Sequence, residues 1–321
     1  MPFSQKLIAW QRRHGRRDLP WQGTRDPYRV WLSEVMLQQT QVTAVIPYYE
    51  RFLNKYPSVD ALAAASEDEV LCLWSGLGYY ARGRNLLRAA KEVVSRGRFP
   101  DTAQGISALP GIGRSTAAAI VVFAFGRREA ILDGNVKRVL SRCYGTDDDL
   151  WPLAARLLPR RNVETYTQGL MDLGSLVCTR GRPKCDACPV ADQCVARKQN
   201  RTDQLPAPRA RKALPLRQAT WFVYLHGGKV LLERRPSRGL WGGLWTFPEA
   251  PLFKGAKASG LPPLEHSFTH FRLRAQPILL RLSKRRPEAP GMRWTGIADA
   301  ARGAVPAPVR TVLRSLESGQ V

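Results

Sequence analysis

Apolar residues recur with helical spacing through the first two thirds of the chain and give way to short β-type runs in the last third. Phe3, Leu7, Ile8 and Trp10 fall on one face of an opening amphipathic helix. Asp26-Pro27 supplies an N-cap followed by proline at the first helical position, and Val30, Trp31, Val35, Val42, Val45 and Ile46 continue the apolar pattern. Further helices are predicted over 61–65, 67–74, 85–95, 115–125, 136–143 and 163–177. The segment 198–215 has three prolines, five basic residues and no apolar periodicity, which reads as a linker. Beyond it, 220–225, 229–233, 245–248, 268–274 and 277–282 read as strands, the first two joined by a turn at Gly227-Gly228. The expected organisation is a mainly α domain at 1–197, a basic Pro-rich linker at 198–215 and an α+β domain at 216–321.

A length of 321 residues is a prior for about two domains, in keeping with that division. Charge adds a partner. The net charge is +24, divided as +13 over 1–215 and +11 over 216–321, so no single basic tail accounts for it. Nucleic acid is the partner such a balance favours. The longest apolar run, Ala117 to Phe125, is under half of the ~20 residues a bilayer needs, so no membrane span is expected. The basic first 17 residues have the composition of a transit peptide, but their apolar spacing reads better as structure. Six cysteines are too sparse for a secreted disulfide scaffold, and the expected location is cytoplasmic.

Four of those cysteines cluster. Cys178, Cys185, Cys188 and Cys194 form C-x6-C-x2-C-x5-C, a set of soft ligands that suits either an iron–sulfur cluster or zinc. Zinc ribbons more often use two C-x2-C knuckles, and only one is present, so the spacing favours a [4Fe–4S] cluster. Cys72 and Cys143 lie among apolar helical residues and read as buried core thiols.

Leu109-Pro110-Gly111-Ile112-Gly113 ends one helix and Arg114-Ser115-Thr116 begins another. Gly111 and Gly113 can leave backbone N–H groups open at a helix N-terminus, where a phosphate oxygen fits, and Arg114 adds charge. With Leu132-Asp133-Gly134-Asn135-Val136 and the cysteines, this hairpin resembles the helix-hairpin-helix DNA glycosylases. Ser33-Glu34-Val35-Met36-Leu37-Gln38-Gln39-Thr40 and Gly76-Leu77-Gly78-Tyr79-Tyr80-Ala81-Arg82 are similar to the MutY family of adenine DNA glycosylases in particular. The resemblance implies two helical lobes with an iron–sulfur loop, and a monomer acting on double-stranded DNA. Its substrate would be adenine opposite 8-oxoguanine or guanine.

Glu34 has Val30, Trp31, Leu37 and Gln38 as its helical neighbours, none of them basic, and an apolar setting should raise its pKa. The resemblance makes Glu34 the acid that protonates adenine and then helps activate water. Asp133 reads as an N-cap and, by resemblance, stabilises the oxocarbenium ion, as paired carboxylates do in glycoside hydrolysis. Bifunctional relatives carry a nucleophilic Lys after the hairpin's basic residue. Ser115 stands there, so the implied enzyme is monofunctional. Base flipping needs a wedge, which the resemblance assigns to Gln39 and Tyr79, with Trp21 and Asp172 lining the adenine pocket. Ser115 and Asn135 join the DNA-contacting set, and Arg82 and Arg84 fit phosphate contacts.

In the last third, Leu240–Pro248 resembles the strand before the metal-binding helix of Nudix hydrolases, but the six acids of 216–321 are too widely separated to hold Mg²⁺. A cationic Nudix-like domain remains, and the resemblance implies that it reads the lesion through Phe268-Thr269-His270, where the family has Phe-Ser-His. Two rivals are a thymine mismatch glycosylase of the same fold and a non-catalytic DNA sensor. The lesion-reading domain argues against the first, and Glu34 and Asp133 against the second.

Overall fold

A computed structural model describes residues 1–208, 213–253 and 257–319. Residues 209–212 of the expected linker and residues 254–256 and 320–321 of the expected C-terminal domain lie outside the described residues. The chain divides into two compact units that do not follow chain order: Met1–Ala63 with Arg88–Ala210, and Ala64–Leu87 with Arg211–Val321. Residues 64–87, read from sequence as part of the helical domain, thus group with the C-terminal part.

In the first unit, the Asp26 carboxylate accepts the Tyr28 N–H at 2.9 Å and starts the helix Pro27–Leu37. The helical pattern read through Ile46 is broken at Gln38–Gln41, where Gln39 takes a φ of 56°, and resumes at Val42–Lys55. Both helices bury their apolar positions, so periodicity alone could not register the turn. Thr102 caps the short helix Ala103–Ser107, and Gly111, at φ 78°, reverses the chain into Arg114–Phe125. Ala117 to Val122 are all buried, making that helix the centre of the unit. Asp133 caps Gly134–Tyr144. The helix predicted over 163–177 is α only from Val163 to Asp172 and continues as one π turn, Leu173–Val177.

Leu7, Val136, Leu140, Tyr166, Leu170 and Leu173 form the core beneath these elements. Each fully buried aliphatic side chain there contributes roughly 1.5–3 kcal/mol. Leu205 joins this core and its carbonyl accepts from Arg142 Nε at 2.8 Å, so the start of the expected linker is folded onto the unit. A single apolar residue among polar ones leaves no periodicity to read.

The second unit is a mixed sheet. Its strands are β1 (Leu216–His226), β2 (Lys229–Arg234), β3 (Trp245–Thr246), β4 (Lys257–Gly260), β5 (Leu264–Ser267), β6 (Arg272–Arg281) and β7 (Met292–Gly296). The order is β3-β2-β1-β6-β4, with β5 also on β6 and β7 on β2; β1 and β6 are parallel. Gly227 and Gly228, both left-handed, close the β1–β2 hairpin as expected. The strands predicted at 268–274 and 277–282 are instead a turn at 268–271 followed by the single strand β6, which runs through Pro277. Helices Ile297–Arg302 and Ala307–Glu317 complete the core with Trp221, Phe247, Leu273, Val309 and Leu313, and Leu71 of the helix Glu67–Trp74 enters it.

Gly174, in the π turn, has no room for a side chain: a Cβ there would stand 2.6 Å from Asn135 Cβ and 3.1 Å from its Cα. Gly174→Ala should destabilise the unit by about 1–3 kcal/mol. Calorimetry would register a lower Tm, and an unchanged Tm would mean that the turn is free to shift.

Candidate active site and DNA-contacting surfaces

Glu34 projects from the middle of the helix Pro27–Leu37, flanked by the buried Ser33 and Val35. Burial pushes its carboxyl up from 4.5 to about 8, and the neighbouring charge of Asp133 adds to the rise. At neutral pH the group is therefore mostly a protonated acid. The Asp133 carboxylate accepts the Val136 N–H at 2.7 Å and hydrogen-bonds the Asn135 backbone as well. Burial raises its pKa, and those backbone bonds and Arg138 oppose the rise. The two carboxyls thus lie close enough to couple, each with a different role imposed by its surroundings.

Three side chains fix this arrangement. Ser115 Oγ accepts the Leu132 N–H at 3.0 Å, tying the residue before Asp133 to the hairpin helix. Gln38 Nε2 donates to Thr116 Oγ1 at 3.3 Å, tying the end of the Glu34 helix to the same element. Arg138 donates to Asn135 Oδ1 at 2.9 Å, to the Gly174 carbonyl at 2.6 Å and to the Cys178 carbonyl at 2.7 Å. Sequence reasoning missed Arg138. Its spacing of four from Arg142 was the available signal, because both guanidinium groups then leave one face of the helix.

Arg142 is buried and donates to the carbonyls of Thr179 and Arg180 and, at 3.5 Å, to Cys178 Sγ. Cys178, Cys185, Cys188 and Cys194 line one pocket together with Arg142, Cys143 and Lys184. All are free thiols. Among the described residues, no group of three or more His, Cys, Asp or Glu side chains is placed to hold a single metal ion. Four thiols spread around a cavity with a buried cation suit an anionic cluster better than one zinc. Cys143 hydrogen-bonds Cys194, whose pKa falls to about 6, whereas burial pushes Cys188 up to about 11. Cys143 is buried as expected, but Cys72 is only half-buried, its thiol donating to the Arg302 carbonyl at 3.0 Å.

At the hairpin, Gly111, Gly113 and Arg114 are exposed. A Cβ at Gly113 would meet nothing within 4 Å, so a ligand has open access to that backbone. Arg114 lies over the Trp151 ring at 3.8 Å. Gln39 is exposed in its left-handed turn.

The other expected residues are placed as follows. Asp172 is fully buried: Arg16 Nε and Nη2 and Gln168 Nε2 donate to Oδ1, while Gln11 Nε2 and the Arg16 N–H donate to Oδ2. It anchors the loop after the first helix. Trp21, 8% exposed, packs edge-on against Tyr49. Arg84 donates to the Gly242 carbonyl and Arg82 to those of Leu77 and Gly78.

In the second unit, Tyr79 is 45% exposed with φ 49°, an uncommon conformation for so bulky a residue. Its hydroxyl lies 3.0 Å from Thr269 Oγ1. Phe268 stacks on Phe271 at 4.4 Å and touches Trp241 and His266, which leaves Thr269 and His270 exposed at the turn.

The chain matches the HhH-GPD superfamily of base excision DNA repair proteins over residues 32–159. It also matches the iron-sulfur binding domain of endonuclease III over 178–194 and a NUDIX domain over 220–315. It is 35% identical over 342 residues to the adenine DNA glycosylase of Buchnera aphidicola (subsp. Acyrthosiphon pisum), covering 98% of this chain and 97% of that protein. The chain belongs to the adenine DNA glycosylases. The human adenine DNA glycosylase is 33% identical over 99% of this chain and 74% of its own length. Among solved structures, a thermostable thymine-DNA glycosylase superposes with a TM-score of 0.58 at 30% identity, over 61% of this chain and 95% of that one. A non-covalent endonuclease III–DNA complex gives 0.54 at 22%, over 62% and 99%, which establishes a shared fold. This glycosylase is therefore a base-excision repair enzyme acting on DNA, with a [4Fe–4S] cluster as cofactor. Among its described residues no helix is long and apolar enough to cross a membrane.

The raised Glu34 pKa has a stability consequence. Between pH 4.5 and about 8 the folded state holds a proton that the unfolded chain has released, so stability falls as pH rises. The slope is at most ~1.4 kcal/mol per pH unit. Glu34→Gln should flatten that slope and raise Tm above pH 8; equal pH dependence in both proteins would show that the carboxyl ionises freely.

Proposed function

We propose that this glycosylase hydrolyses the N-glycosidic bond of adenine mispaired with 8-oxoguanine or guanine in duplex DNA and leaves an abasic site. The observation that carries this reading is the coupled pair Glu34 and Asp133, the first held protonated near neutral pH and the second fixed at a helix cap. Glu34 donates its proton to the adenine ring, so the base departs neutral as the bond to the sugar breaks. Asp133, ionised, stabilises the positive charge that develops on the sugar. The Glu34 carboxylate then takes a proton from the water that adds. Cys178, Cys185, Cys188 and Cys194 hold the cluster, which when bound supplies an anionic crosslink. Arg138 and Arg142 bond the loop that carries it to the helix that Asp133 caps.

Hydrolysis without strand cleavage follows from Ser115. A hydroxyl that accepts the Leu132 N–H cannot form the Schiff base that a lyase needs. The hairpin at Gly111 and Gly113, with Arg114, grips the DNA backbone, and Gln39 and Tyr79 act as wedges beside the orphaned base. Tyr79, Thr269 and His270 read the lesion. Thr269 keeps the hydroxyl of the family's Ser, already bonded to Tyr79 in the free protein.

Single-turnover base release from an adenine:8-oxoguanine duplex tests the reading. Glu34→Gln should slow release by roughly 10²–10⁴. The wild-type rate should decline as pH rises through about 8, because the acid form of Glu34 is lost there, and should also decline on the acid side as Asp133 protonates. Full activity in Glu34→Gln would defeat the assignment, and faster release of thymine from a thymine:guanine duplex would favour the other specificity. Ser115→Lys should allow borohydride trapping of a covalent DNA adduct that the wild type does not give; no adduct would mean that position 115 does not face the sugar.

A further inference from the structure

The loop bearing Tyr79 is fastened four residues upstream, by a polar clasp. Ser75 ends the helix Glu67–Trp74 and is 9% exposed. Its hydroxyl donates to the Val305 carbonyl at 2.9 Å and accepts from Arg310 Nη2 at 2.7 Å. Arg310 also donates to the carbonyls of Ala301 at 2.7 Å and Gly303 at 3.0 Å. One turn before Ser75, Cys72 donates to the Arg302 carbonyl. The segment thus sits on residues 301–305, which are themselves rigid: Ala304 and Val305 are buried, and the Ala304 carbonyl accepts the Trp245 N–H of β3 at 2.9 Å.

Past the clasp the backbone is strained. Gly76, Gly78 and Tyr79 take φ values of 101°, 77° and 49°. Gly76 and Gly78 tolerate this, but a left-handed tyrosine persists only where its surroundings over-determine it. Trp74 Nε1 holds the Gly78 carbonyl at 3.1 Å, and the Tyr79 hydroxyl meets Thr269 at 3.0 Å. The loop is therefore held at its base by Ser75 and at its tip by Thr269.

We propose that Ser75 and Arg310 are positioning residues that hold Tyr79 against Thr269 and thereby set the preference for 8-oxoguanine over guanine opposite adenine. The proposal rests on the lesion-reading assignment of Tyr79 and Thr269. Neither residue takes part in bond cleavage, and Glu34 and Asp133 belong to the other unit. Loss of the clasp lets the loop leave its strained conformation, so the lesion meets a reader that must first be ordered.

The test uses the full-length, cluster-loaded enzyme and measures single-turnover release from adenine:8-oxoguanine and adenine:guanine duplexes. Backbone amide exchange over residues 76–80 is followed in the free protein. Ser75→Ala and Arg310→Met should each lower the 8-oxoguanine:guanine rate ratio by about 5–20-fold, the equivalent of one or two hydrogen bonds. The adenine:guanine rate should stay within about twofold, since the preorganisation lost is that of the lesion reader. Exchange at 76–80 should accelerate, and Arg310→Lys should restore part of both effects. Tyr79→Phe and Thr269→Val serve as controls. An unchanged ratio in Ser75→Ala and Arg310→Met, with a lowered ratio in the controls, would overturn the clasp while leaving the lesion-reading assignment intact. An unchanged ratio in the controls as well would remove that assignment and the proposal together. Should Arg310→Met fail to fold, Ser75→Ala decides the matter, because it deletes only the hydroxyl that bonds Val305 and Arg310.

Discussion

A carboxyl group whose ionisation burial delays to about pH 8 is the constraint around which the first unit is built. Glu34 is held near pKa 8 chiefly by burial, and that burial costs stability wherever the unfolded chain would carry the charge. The surrounding apolar helices must offset this cost. The helix Arg114–Phe125, buried over Ala117 to Val122, is the element best placed to do so, since Gln38 and Leu132 are both bonded to its first turn. The same helix thus fixes the chain on either side of the acid pair. Its exposed start carries the glycines of the hairpin, so one element connects that exposed backbone to the Glu34–Asp133 pair.

Asp133 is treated differently. Burial raises its pKa too, but the backbone N–H groups it caps favour the charged form and oppose that rise. A cap is useful only if the helix behind it is rigid. Arg138 and Arg142 secure that helix by donating to carbonyls of the cysteine loop, and Gly174 lets the π turn approach Asn135 without a side chain between them. The cluster loop is accordingly part of the support of the active site. Arg142, buried against that loop, is accommodated by the carbonyls to which it donates.

Much of this was legible in residue order. The Asp26 and Asp133 caps, the hairpin, the opening helix and the Gly227-Gly228 turn each rest on local chemistry, and each is where the pattern placed it. What was not legible is tertiary. Asp172 looks like a polar helix residue, and nothing nearby in sequence says that Arg16, some 150 residues earlier, will bond it twice over. Phe268 looks like the start of a strand until Phe271 stacks upon it and turns the chain. Leu205 carries no periodicity, and its burial depends on a carbonyl that Arg142 needs. Long-range bonds decide Asp172 and Leu205, whereas a contact three residues on decides Phe268.

The C-terminal part makes the same point about charge. Its sequence is related to NUDIX domains, yet its acids are engaged elsewhere: Glu249 pairs with Arg235, Glu288 with Arg285, and Asp299 with Arg302. Arg234 and Arg293 pair instead with Asp68, from a helix that sequence order assigns to the other end of the molecule, and Trp245 Nε1 donates to the same carboxylate at 3.2 Å. Glu67 and Asp68 read locally as ordinary acids in the first turn of a capped helix. Their second use, as the polar seam that joins residues 64–87 to the sheet, accounts for the arginines along one end of it. That seam also secures the segment that leads into Tyr79, the residue proposed to read the lesion.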